Sequence, residues 1–274
     1  MDTRIVDLDL AKRRAMSVEH WARIALDHDW VAGWVEGAIF PTELVFFLAS
    51  CEAIGVRYII ESGRQDGYST RILGEFARRT GARAASIDYE EDAERGRRCR
   101  ARLADYPIDL RIGSAFELLG QMVNESSIGP IALLLDGPKG FSAVSVTAAA
   151  ATDPKVALIS FHNLEADKPY RYLLETVADA PIFYEEVLGD GGDNWSTLRR
   201  AEIAHCTKLG AQRSLAHSTL GVIHLGSAER RKLKRLWGTS FRFYQPQLVT
   251  LGWRFGLYRL TAQLYTLSFR VFGS

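Results

Sequence analysis

The sequence predicts an α/β protein built on a doubly wound sheet of seven mostly parallel strands, with helices on both faces. Two observations carry this prediction. Short β-prone apolar runs alternate with helix-compatible stretches, and that spacing is typical of βαβ units. A basic, aromatic segment follows the last run and is expected to form a C-terminal helical extension. With 274 residues, 47% of them hydrophobic, the chain can bury a large core.

The predicted elements fall into three parts. Residues 1–54 predict N-terminal helices that pack on the core: Ser17 begins one helix, Pro41 opens another, and Gly55 ends it. The core, residues 55–229, has strands predicted at 56–61, 83–88, 109–113, 131–136, 156–161, 182–188 and 219–226. A last strand inserted antiparallel beside its predecessor fits this order, although the pattern alone leaves the topology open. Residues 230–274 form the extension.

Composition argues against several protein classes. Cys51, Cys99 and Cys206 show no metal-ligand spacing, so we interpret them as reduced thiols of a cytoplasmic protein. The charged start has no hydrophobic signal core. No window of about 18 residues is both apolar and uncharged. The expected location is therefore the cytoplasm, or the inner face of a membrane if the extension binds lipid.

The C-terminal extension differs chemically from the rest of the chain. Residues 230–274 hold nine Lys or Arg residues, ten aromatic residues and no Asp or Glu, which leaves a net charge of −8 on the remainder of a chain whose total is +1. This composition favours either an anionic membrane surface or packing on the core or a second copy of the chain. Nucleic acid is disfavoured, because no recognition motif accompanies the charge.

The stretch YIIESGRQDGYSTRIL, residues 58–73, predicts a strand, a glycine loop and a helix. A P-loop needs four residues between its glycines and a Lys-Ser/Thr pair, but Gly63 and Gly67 have three between them and Tyr68 follows. A dinucleotide fingerprint starting at Gly63 would need glycines where Gln65 and Tyr68 stand. Neither phosphate-binding pattern matches well.

S-adenosylmethionine fits the loop better, because it carries an ammonium, a carboxylate and a sulfonium but no phosphate. Glu61, at the end of the first strand, suits the ammonium. Gly63 and Gly67 let the backbone pass beside the methionine part, which a side chain would obstruct. Asp88, at the end of the second strand, can accept hydrogen bonds from both ribose hydroxyls. Ligands of open α/β sheets bind at these carboxyl ends.

The segment IIESGRQDGYST resembles motif I of class I S-adenosylmethionine-dependent methyltransferases, in particular the catechol and caffeoyl-CoA O-methyltransferase branch, whose pattern is roughly E-x-G-x-x-x-G-Y-S. EGAIF (36–40) and LRIGSAFELL (110–119) resemble the segments that cover the cofactor and flank its adenine, and the similarity spans about residues 34–165. It implies a Rossmann-like fold and an S-adenosylmethionine site formed by Glu61, Gly63, Gly67, Tyr68, Ser69, Asp88, Ser114, Ala115 and Asp136. Asp88 replaces a Glu of the branch, and Ala115 and Phe116 replace more polar residues.

The same resemblance implies a reacting centre. Asp136 and Lys139 match a D-x-x-K motif whose Lys assists deprotonation of the acceptor. In the branch, an Asp-Asn pair after the fifth strand completes a divalent-metal site, and His162 and Asn163 stand in its place. Imidazole instead of carboxylate weakens a site for Mg²⁺. Either Asp136, His162 and Asn163 bind a softer ion such as Mn²⁺ or Zn²⁺, or catalysis is metal-independent with His162 as base; the second reading is favoured slightly.

The sequence thus predicts an S-adenosylmethionine-dependent methyltransferase acting on a hydroxyl of a small-molecule or glycan acceptor, with Lys139, His162 and Asn163 as catalytic residues. A homo-oligomer and contact of residues 230–274 with a membrane are further expectations. Residues 188–197 predict a mobile acceptor-side loop, with Trp195 as a surface anchor or lid contact. Two alternatives stay open: a nicotinamide-dependent oxidoreductase, and a non-catalytic scaffold that binds a partner or membrane through its extension.

Overall fold

The computed structural model describes residues 8–90, 92–188, 191–211, 218–238, 251–260 and 263–264. Within them the chain forms one six-stranded sheet in the order β3-β2-β1-β4-β5-β6. The strands are β1 (Tyr58–Ser62), β2 (Arg83–Asp88), β3 (Ile108–Ile112), β4 (Ile131–Leu135), β5 (Val156–Phe161) and β6 (Gly221–His224). Every neighbouring pair is parallel except β5 and β6, which are antiparallel. Strand order 3-2-1-4-5-6 is that of a Rossmann-like sheet.

The helices lie on both faces of this sheet, as predicted. They are α1 (Leu8–Asp27), α2 (Pro41–Ala53), α3 (Tyr68–Thr80), α4 (Ala93–Leu103), α5 (Ala115–Glu125), α6 (Phe141–Ala150), α7 (Pro169–Thr176), α8 (Tyr184–Leu188), α9 (Asp193–Lys208) and α10 (Ser227–Leu233), followed by a 3-10 turn at Lys234–Gly238.

Alternation along the strands produces two separate hydrophobic cores. Ile59 of β1 packs in the core shared with α1, α2, α3 and α9. Its neighbour Ile60 packs in the opposite core with α5, α6 and α7. Successive strand side chains point to opposite faces, and strands buried on both faces need apolar residues at almost every position. The uninterrupted run Ile131–Leu135 satisfies that need.

The predicted N-terminal helices are present and share a core with the sheet. Pro41 is the first residue of α2, and Gly55 follows its C-cap with φ +69°, the left-handed conformation that glycine adopts without steric cost. The predicted start at Ser17 is wrong, because α1 already begins at Leu8. Arg14, one turn before Ser17, is buried in that helix.

Two other predictions around residues 182–197 are also wrong. The predicted strand 182–188 is reduced to a single bridge between Ile182 and Val222, and the helix α8 follows. Glu185 and Glu186 occupy the first turn of that helix, where carboxylates are favoured by the helix dipole. The described part of the chain therefore has six strands, not seven.

The segment predicted as a mobile loop at 188–197 is largely helical. Residues 189 and 190 lie outside the described residues, and α9 begins at Asp193. Trp195 is neither a lid nor a surface anchor, since it is 1% exposed and packs edge-on against Tyr184. Burial of so large a ring holds α9 firmly against the first core.

Part of the C-terminal extension packs on the domain. Arg230 donates to the backbone carbonyls of Ala151 (2.8 Å) and Asp153 (2.7 Å). Trp253 is buried against Gly120 of α5, so close that a Cβ there would lie 2.6 Å from its Nε1. Much of the extension lies outside the described residues. Among the helices that the structure describes, none is long and apolar enough to cross a bilayer.

Candidate active site

A cavity of about 460 Å³ opens at the carboxyl ends of the strands. Its position is the switch point of the sheet, where β1 is flanked by β2 on one side and β4 on the other. Ligands of open α/β sheets bind at this point, and the volume falls in the range of small-molecule sites. The wall consists of Gly63, Gln65, Ile87, Asp88, Tyr89, Glu90, Asp92, Arg95, Gly96, Gly113, Ala115, Phe116, Asp136, Gly137 and Pro138.

The glycines of the loop after β1 are required by neighbouring protein atoms. Gly63 has φ +94°, and a Cβ there would lie 2.7 Å from the backbone nitrogen of Gly137. Gly67 has φ +77°, and its Cβ would lie 2.7 Å from Sγ of Cys99 in α4. The prediction that these positions keep room for a methionine moiety therefore needs correction. The absence of a side chain at Gly63 and Gly67 allows the segment after β4 and the helix α4 to approach the loop.

Glu61 faces away from the cavity, towards the start of α3. The carboxylate is fully buried and accepts hydrogen bonds from the hydroxyls of Ser69, Thr70 and Ser86. Burial raises the pKa of Glu61, while the three hydroxyl donors act in the opposite direction. Glu61 is not in the cavity wall, so the predicted direct contact with an ammonium group does not follow from this arrangement. The observed contacts join the loop to β2 and α3.

Tyr68 and Ser69 occupy a similar supporting position. The Tyr68 hydroxyl donates to the carbonyl of Trp30 at 2.9 Å. Both residues line a small recess beside the main cavity, together with Val35 and Ile39. The segment 36–40 thus adjoins the glycine loop. The resemblance assigns a cofactor-covering segment to these residues.

Asp88 is in the cavity wall, at the end of β2. Its Oδ2 accepts from the backbone amides of Arg64 (2.7 Å) and Gln65 (3.0 Å), and its Oδ1 accepts from the amide of Glu90 (2.8 Å). Two oxygens of an ionised carboxylate offer about four acceptor positions. Asp88 therefore holds the glycine loop in place and still has acceptor capacity towards the cavity.

Arg64 supports the glycine loop at the candidate site, and sequence reasoning missed it. Its guanidinium is buried beneath the loop, where it donates to the carbonyl of Ser86 (2.9 Å) and to Oε1 of Glu90 (2.6 Å). Burial would raise the pKa of Glu90, but hydrogen bonds from Arg100 and Arg64 outweigh it and hold that pKa below its usual value. The only sequence feature that points to Arg64 is its position inside a glycine-containing loop. A solvent-exposed loop could also contain an arginine, so the sequence could not show that Arg64 is buried.

One side of the cavity is apolar. Ile87, Ala115 and Phe116 contribute to its wall where β2 ends and α5 begins. Ser114 is the N-cap residue of α5, although its side chain makes no capping hydrogen bond. Ala115 and Phe116, which replace more polar residues in the resembled pattern, thus form a surface suited to a flat apolar ring.

Asp136 and His162 are joined directly. Asp136 lies in the cavity wall, just after β4, and its Oδ1 is 2.8 Å from Nδ1 of His162. The ring of His162 is 2% exposed, behind Asp136, and its Nε2 lies 3.5 Å from Oε2 of Glu43 in α2. Desolvation lowers the pKa of His162, but both carboxylates raise it and the net pKa is about 9. The raised pKa favours the protonated ring, and His162 lies outside the cavity wall. Neither observation supports the role of general base, which stays a prediction.

Lys139 and Asn163 differ in their relation to the cavity. Nζ of Lys139 is 3.5 Å from Oδ1 of Asp136, and its side chain is 52% exposed at the rim. Asn163 has φ +64°, and its Oδ1 is buried without a hydrogen-bond partner among the described residues. Its carbonyl accepts from the hydroxyl of Tyr170 at 3.0 Å. Asn163 is not part of the cavity wall.

Of the predicted metal ligands, Asp136 and His162 contact each other directly, and the metal site stays a prediction. Nε2 of His162 is buried without a hydrogen-bond partner among the described residues, 3.5 Å from Oε2 of Glu43. In the part of the chain that the structure describes, no group of three or more His, Cys, Asp and Glu residues is arranged to hold a metal ion. We therefore derive no step through a metal.

S-adenosylmethionine fits the residues present better than a metal does. The cavity offers an acid with spare acceptor capacity, an apolar slot and exposed backbone at the glycine loop. Among the described residues, its wall carries the side chains of Asp88, Glu90, Asp92 and Asp136 against the cation Arg95. Such a wall favours a cationic ligand.

Comparison with known proteins yields structural likenesses only. No family model matches the chain, and no curated protein matches its sequence. Among solved structures, the SAH-bound Podospora anserina methyltransferase PaMTH1 is 13% identical, with 78% of this chain and 88% of that chain covered at a TM-score of 0.41. The SAH complex of an O-methyltransferase from Bacillus cereus is 16% identical (75% and 90% covered, TM-score 0.40). The SAM complex of the O-methyltransferase TomG from Streptomyces achromogenes is 14% identical (77% and 90% covered, TM-score 0.42).

Likenesses of this extent do not assign an activity to the chain. A functional assignment therefore depends on the strand order and on the residues that form the cavity wall.

Proposed function

We propose that this protein is an S-adenosylmethionine-dependent methyltransferase that acts on a hydroxyl group of a small-molecule or glycan acceptor. The observation that carries the proposal is the acidic cavity at the switch point of the sheet, with Asp88 at the end of β2 and Asp136 just after β4, on either side of β1. S-adenosylmethionine carries a net positive charge through its sulfonium and ammonium groups. An acidic, partly apolar cavity attracts such a ligand.

The same cavity disfavours a nicotinamide dinucleotide. A diphosphate needs backbone amides or cations directed at it. The amides of Arg64 and Gln65 instead donate to the carboxylate of Asp88, and Arg95 pairs with Asp66 at 3.5 Å. The loop amides that could cradle phosphate are thus already occupied by a negative group.

The ribose, the adenine and the methionine end of the cofactor would each face particular residues of the cavity. Asp88 would accept hydrogen bonds from the ribose hydroxyls, and Ile87, Ala115 and Phe116 would enclose the adenine. Gly63 and Asp136 would face the methionine end, since they lie where the loops after β1 and β4 meet. Where these two loops meet, the amides of Asp136 and Gly137 both donate to the carbonyl of Ser62 at 2.9 Å. These hydrogen bonds hold the two loops close together.

The bound cofactor supplies a methyl group on a positively charged sulfur. The chain's own task is to align the acceptor oxygen with that methyl group and to favour loss of its proton. Lys139 stands at the rim, and its ammonium would stabilise the oxyanion that forms on the acceptor. Asp136, held by His162, would keep Lys139 in place through the 3.5 Å contact.

Calorimetric titration with S-adenosylhomocysteine and, separately, with NAD tests the proposal. We expect micromolar binding of S-adenosylhomocysteine and none of NAD. Asp88→Asn keeps the size of the side chain but removes its charge, and should weaken binding about 10- to 100-fold. Asp109→Asn, which alters an acid on β3 that pairs with Arg111 outside the cavity, should leave the affinity unchanged. Failure of the wild-type protein to bind S-adenosylhomocysteine would overturn the proposal and favour a non-catalytic scaffold.

We also propose that the C-terminal extension contacts an anionic membrane surface. Leu251, Phe255, Leu257 and Leu260 are exposed in its described part, and Arg254 and Arg259 lie among them. Exposed apolar side chains beside cations suit a layer of anionic head groups. Trp253 is buried and attaches the segment to the domain. The exposed face of the segment would therefore contact the membrane while the segment stays packed on the domain.

Vesicle flotation tests membrane binding. The wild-type protein should float with phosphatidylserine-containing vesicles and not with pure phosphatidylcholine vesicles. Phe255→Asp combined with Leu260→Asp should abolish flotation, whereas Leu209→Asp, at an exposed leucine after α9, should not. Equal flotation of both variants, or none of the wild type, would contradict membrane binding. Self-association in sedimentation that the double variant abolishes would assign the surface to a second copy.

A further inference from the structure

We infer that the outer edge of β3 is a self-complementary surface that pairs two copies of this chain into one continuous sheet. The surface consists of the five residues Ile108–Ile112, which lie at one end of the sheet order β3-β2-β1-β4-β5-β6. In the part of the chain that the structure describes, no strand pairs with the outer side of β3. The inference goes beyond the proposed function and does not depend on it.

The two edges of the sheet differ in how they are covered. At the opposite edge, Ile182 exchanges backbone hydrogen bonds with Val222 of β6, at 2.8 and 2.9 Å. Part of the β6 edge is therefore already occupied. At β3, the side chain of Arg111 is 54% exposed and Ile112 is 62% exposed. An exposed edge strand with apolar residues is a template for pairing with another strand.

The backbone of β3 directs hydrogen-bonding groups away from the sheet. The amide of Gly113 donates to a carbonyl of β2 at 3.0 Å, and the carbonyl of Arg111 accepts from the guanidinium of Arg64 on the same side at 3.3 Å. The N–H and the C=O of a trans peptide point in opposite directions, so both backbone groups of Ile112 point away from β2. Residues two apart in a strand share their orientation. Leu110 therefore also presents its N–H and C=O at the outer edge.

The sequence of β3 predicts the register of the pairing. It reads Ile-Asp-Leu-Arg-Ile, so its apolar and charged positions are symmetric about Leu110. Two antiparallel copies related by a two-fold axis at Leu110 would exchange the outward N–H and C=O groups of that residue. The same register places Ile112 of each copy opposite Ile108 of the other. The apolar side chains then lie together on one face of the joined sheet.

The charged residues of β3 are complementary in this register. Asp109 of one copy lies opposite Arg111 of the other, and the two-fold axis produces this pair twice. Positions 109 and 111 alternate with the hydrogen-bonded positions, so their Cα atoms take the closer spacing of antiparallel strands, about 4.5 Å. Within one chain, the guanidinium of Arg111 lies 2.9 Å from Oδ2 of Asp109. Opposite charges across two strands stabilise their pairing, and like charges oppose it.

Sedimentation velocity at a series of protein concentrations tests the inference. We expect a reversible equilibrium between monomer and dimer, because strands of five residues form a small interface. Asp109→Arg or Arg111→Asp alone would place like charges opposite one another twice in each dimer, and each should weaken the dimer about tenfold or more. Asp167→Arg, a charge reversal at an exposed residue after β5, should leave the equilibrium unchanged.

Two combinations of the charge reversals test the register. The exchange variant, which carries both Asp109→Arg and Arg111→Asp, restores opposite charges across the axis and should dimerise as the wild type does. An equimolar mixture of the two single variants should also form dimers, because positions 109 and 111 are then basic in one copy and acidic in the other. Equal dimerisation of all variants, or a wild-type protein that stays monomeric up to about 100 μM, would overturn the inference.

Hydrogen exchange of the wild-type protein decides the question should a variant not fold. The amides of Leu110 and Ile112 point away from β2, so their protection should increase with protein concentration as dimers form. The amide of Gly113, which is bonded to β2 within one chain, should be protected equally at every concentration. Protection of Leu110 and Ile112 that does not depend on concentration would overturn the inference. Titration with S-adenosylhomocysteine tests the proposed function separately.

Discussion

Nδ1 of His162 lies 2.8 Å from Oδ1 of Asp136, and only Asp136 of the two side chains reaches the cavity. The acid at the end of β4 therefore faces the cavity, while the histidine after β5 supports it from behind. The chemical roles of the two residues follow from their positions relative to the cavity. Asp136 and Lys139 can contact bound molecules, and His162 determines how Asp136 is held.

The stability of the protein should decrease between about pH 6.5 and pH 9 because of His162. Its folded-state pKa of about 9 lies above the value of 6.5 for the free side chain. The stabilisation is thus fully present below pH 6.5 and is lost as the pH rises through 9. Glu43 and Asp136 face the ring, and Lys139 contacts Asp136 from the other side. Urea unfolding of the wild type and of His162→Gln at several pH values measures the effect.

The difference in unfolding free energy between those two proteins should shrink as the pH approaches 9. His224→Gln is a suitable control, because burial and then Arg14 lower the pKa of His224 to about 3. Its effect should change below pH 6.5 and stay constant above. A constant difference between wild type and His162→Gln from pH 6 to pH 10 would contradict the role assigned to His162.

Replacing Arg64 by Met should destabilise the protein by about 3 kcal/mol, because it removes a buried guanidinium that donates to the carbonyl of Ser86 and to Glu90, although Glu90 keeps its ion pair with Arg100. Arg64 is 1% exposed and pairs with Glu90, which is 10% exposed. The variant should also weaken S-adenosylhomocysteine binding, since Arg64 supports the loop under the cofactor. Denaturant unfolding and calorimetry provide the two readouts.

Arg97→Met is the matched control for Arg64→Met. Arg97 forms an ion pair with Glu94 in which both side chains are more than half exposed. Exposed pairs contribute at most about 1 kcal/mol, so this variant should unfold almost as the wild type does. Equal losses of stability in the two variants would show that burial of Arg64 has no energetic consequence.

Gly63→Ala should cost more stability than Gly55→Ala, although both positions have positive φ. The new Cβ at 63 would lie 2.7 Å from a backbone nitrogen, whereas no atom of the described residues lies within 4 Å of the one at 55. At position 55 only the conformational cost of about 1–2 kcal/mol applies. At 63 the loops after β1 and β4 must also separate, for a total above about 3 kcal/mol. Urea unfolding of both variants measures the difference, and equal costs would argue against the close approach of the loops.

Lys139→Met should leave the affinity for S-adenosylhomocysteine within about twofold of wild type but lower the rate of methyl transfer about 100-fold or more. The side chain is half exposed at the rim, where we propose that it contacts the acceptor rather than the cofactor. A screen of phenols and sugars with labelled S-adenosylmethionine would supply the acceptor for this measurement. Lys168→Met, at a similarly exposed lysine, serves as the control. A rate unaffected by Lys139→Met would exclude its role at the acceptor.

Local patterns were sufficient to predict much of the sheet. The predicted runs at 83–88 and 156–161 coincide with β2 and β5, because buried parallel strands need continuous apolar residues and glycines or acids mark their ends. The strand predicted at 182–188 was wrong because the pattern there is ambiguous. Its apolar residues suit a strand or a short helix equally, and packing of Tyr184 against Trp195 and Phe46 selects the helix.

The sequence by itself determined the doubly wound sheet, the glycine loop after β1 and the acids at the ends of β2 and β4, since each depends on neighbours along the chain. Only the tertiary structure decided which way Glu61 points, what the loop glycines approach, and that Glu43 of an N-terminal helix lies beside His162. These facts depend on atoms that are close in space and distant in sequence. A side chain's charge and hydrogen bonds follow from that environment, so the role of His162 could be derived only once its two carboxylate neighbours were in place.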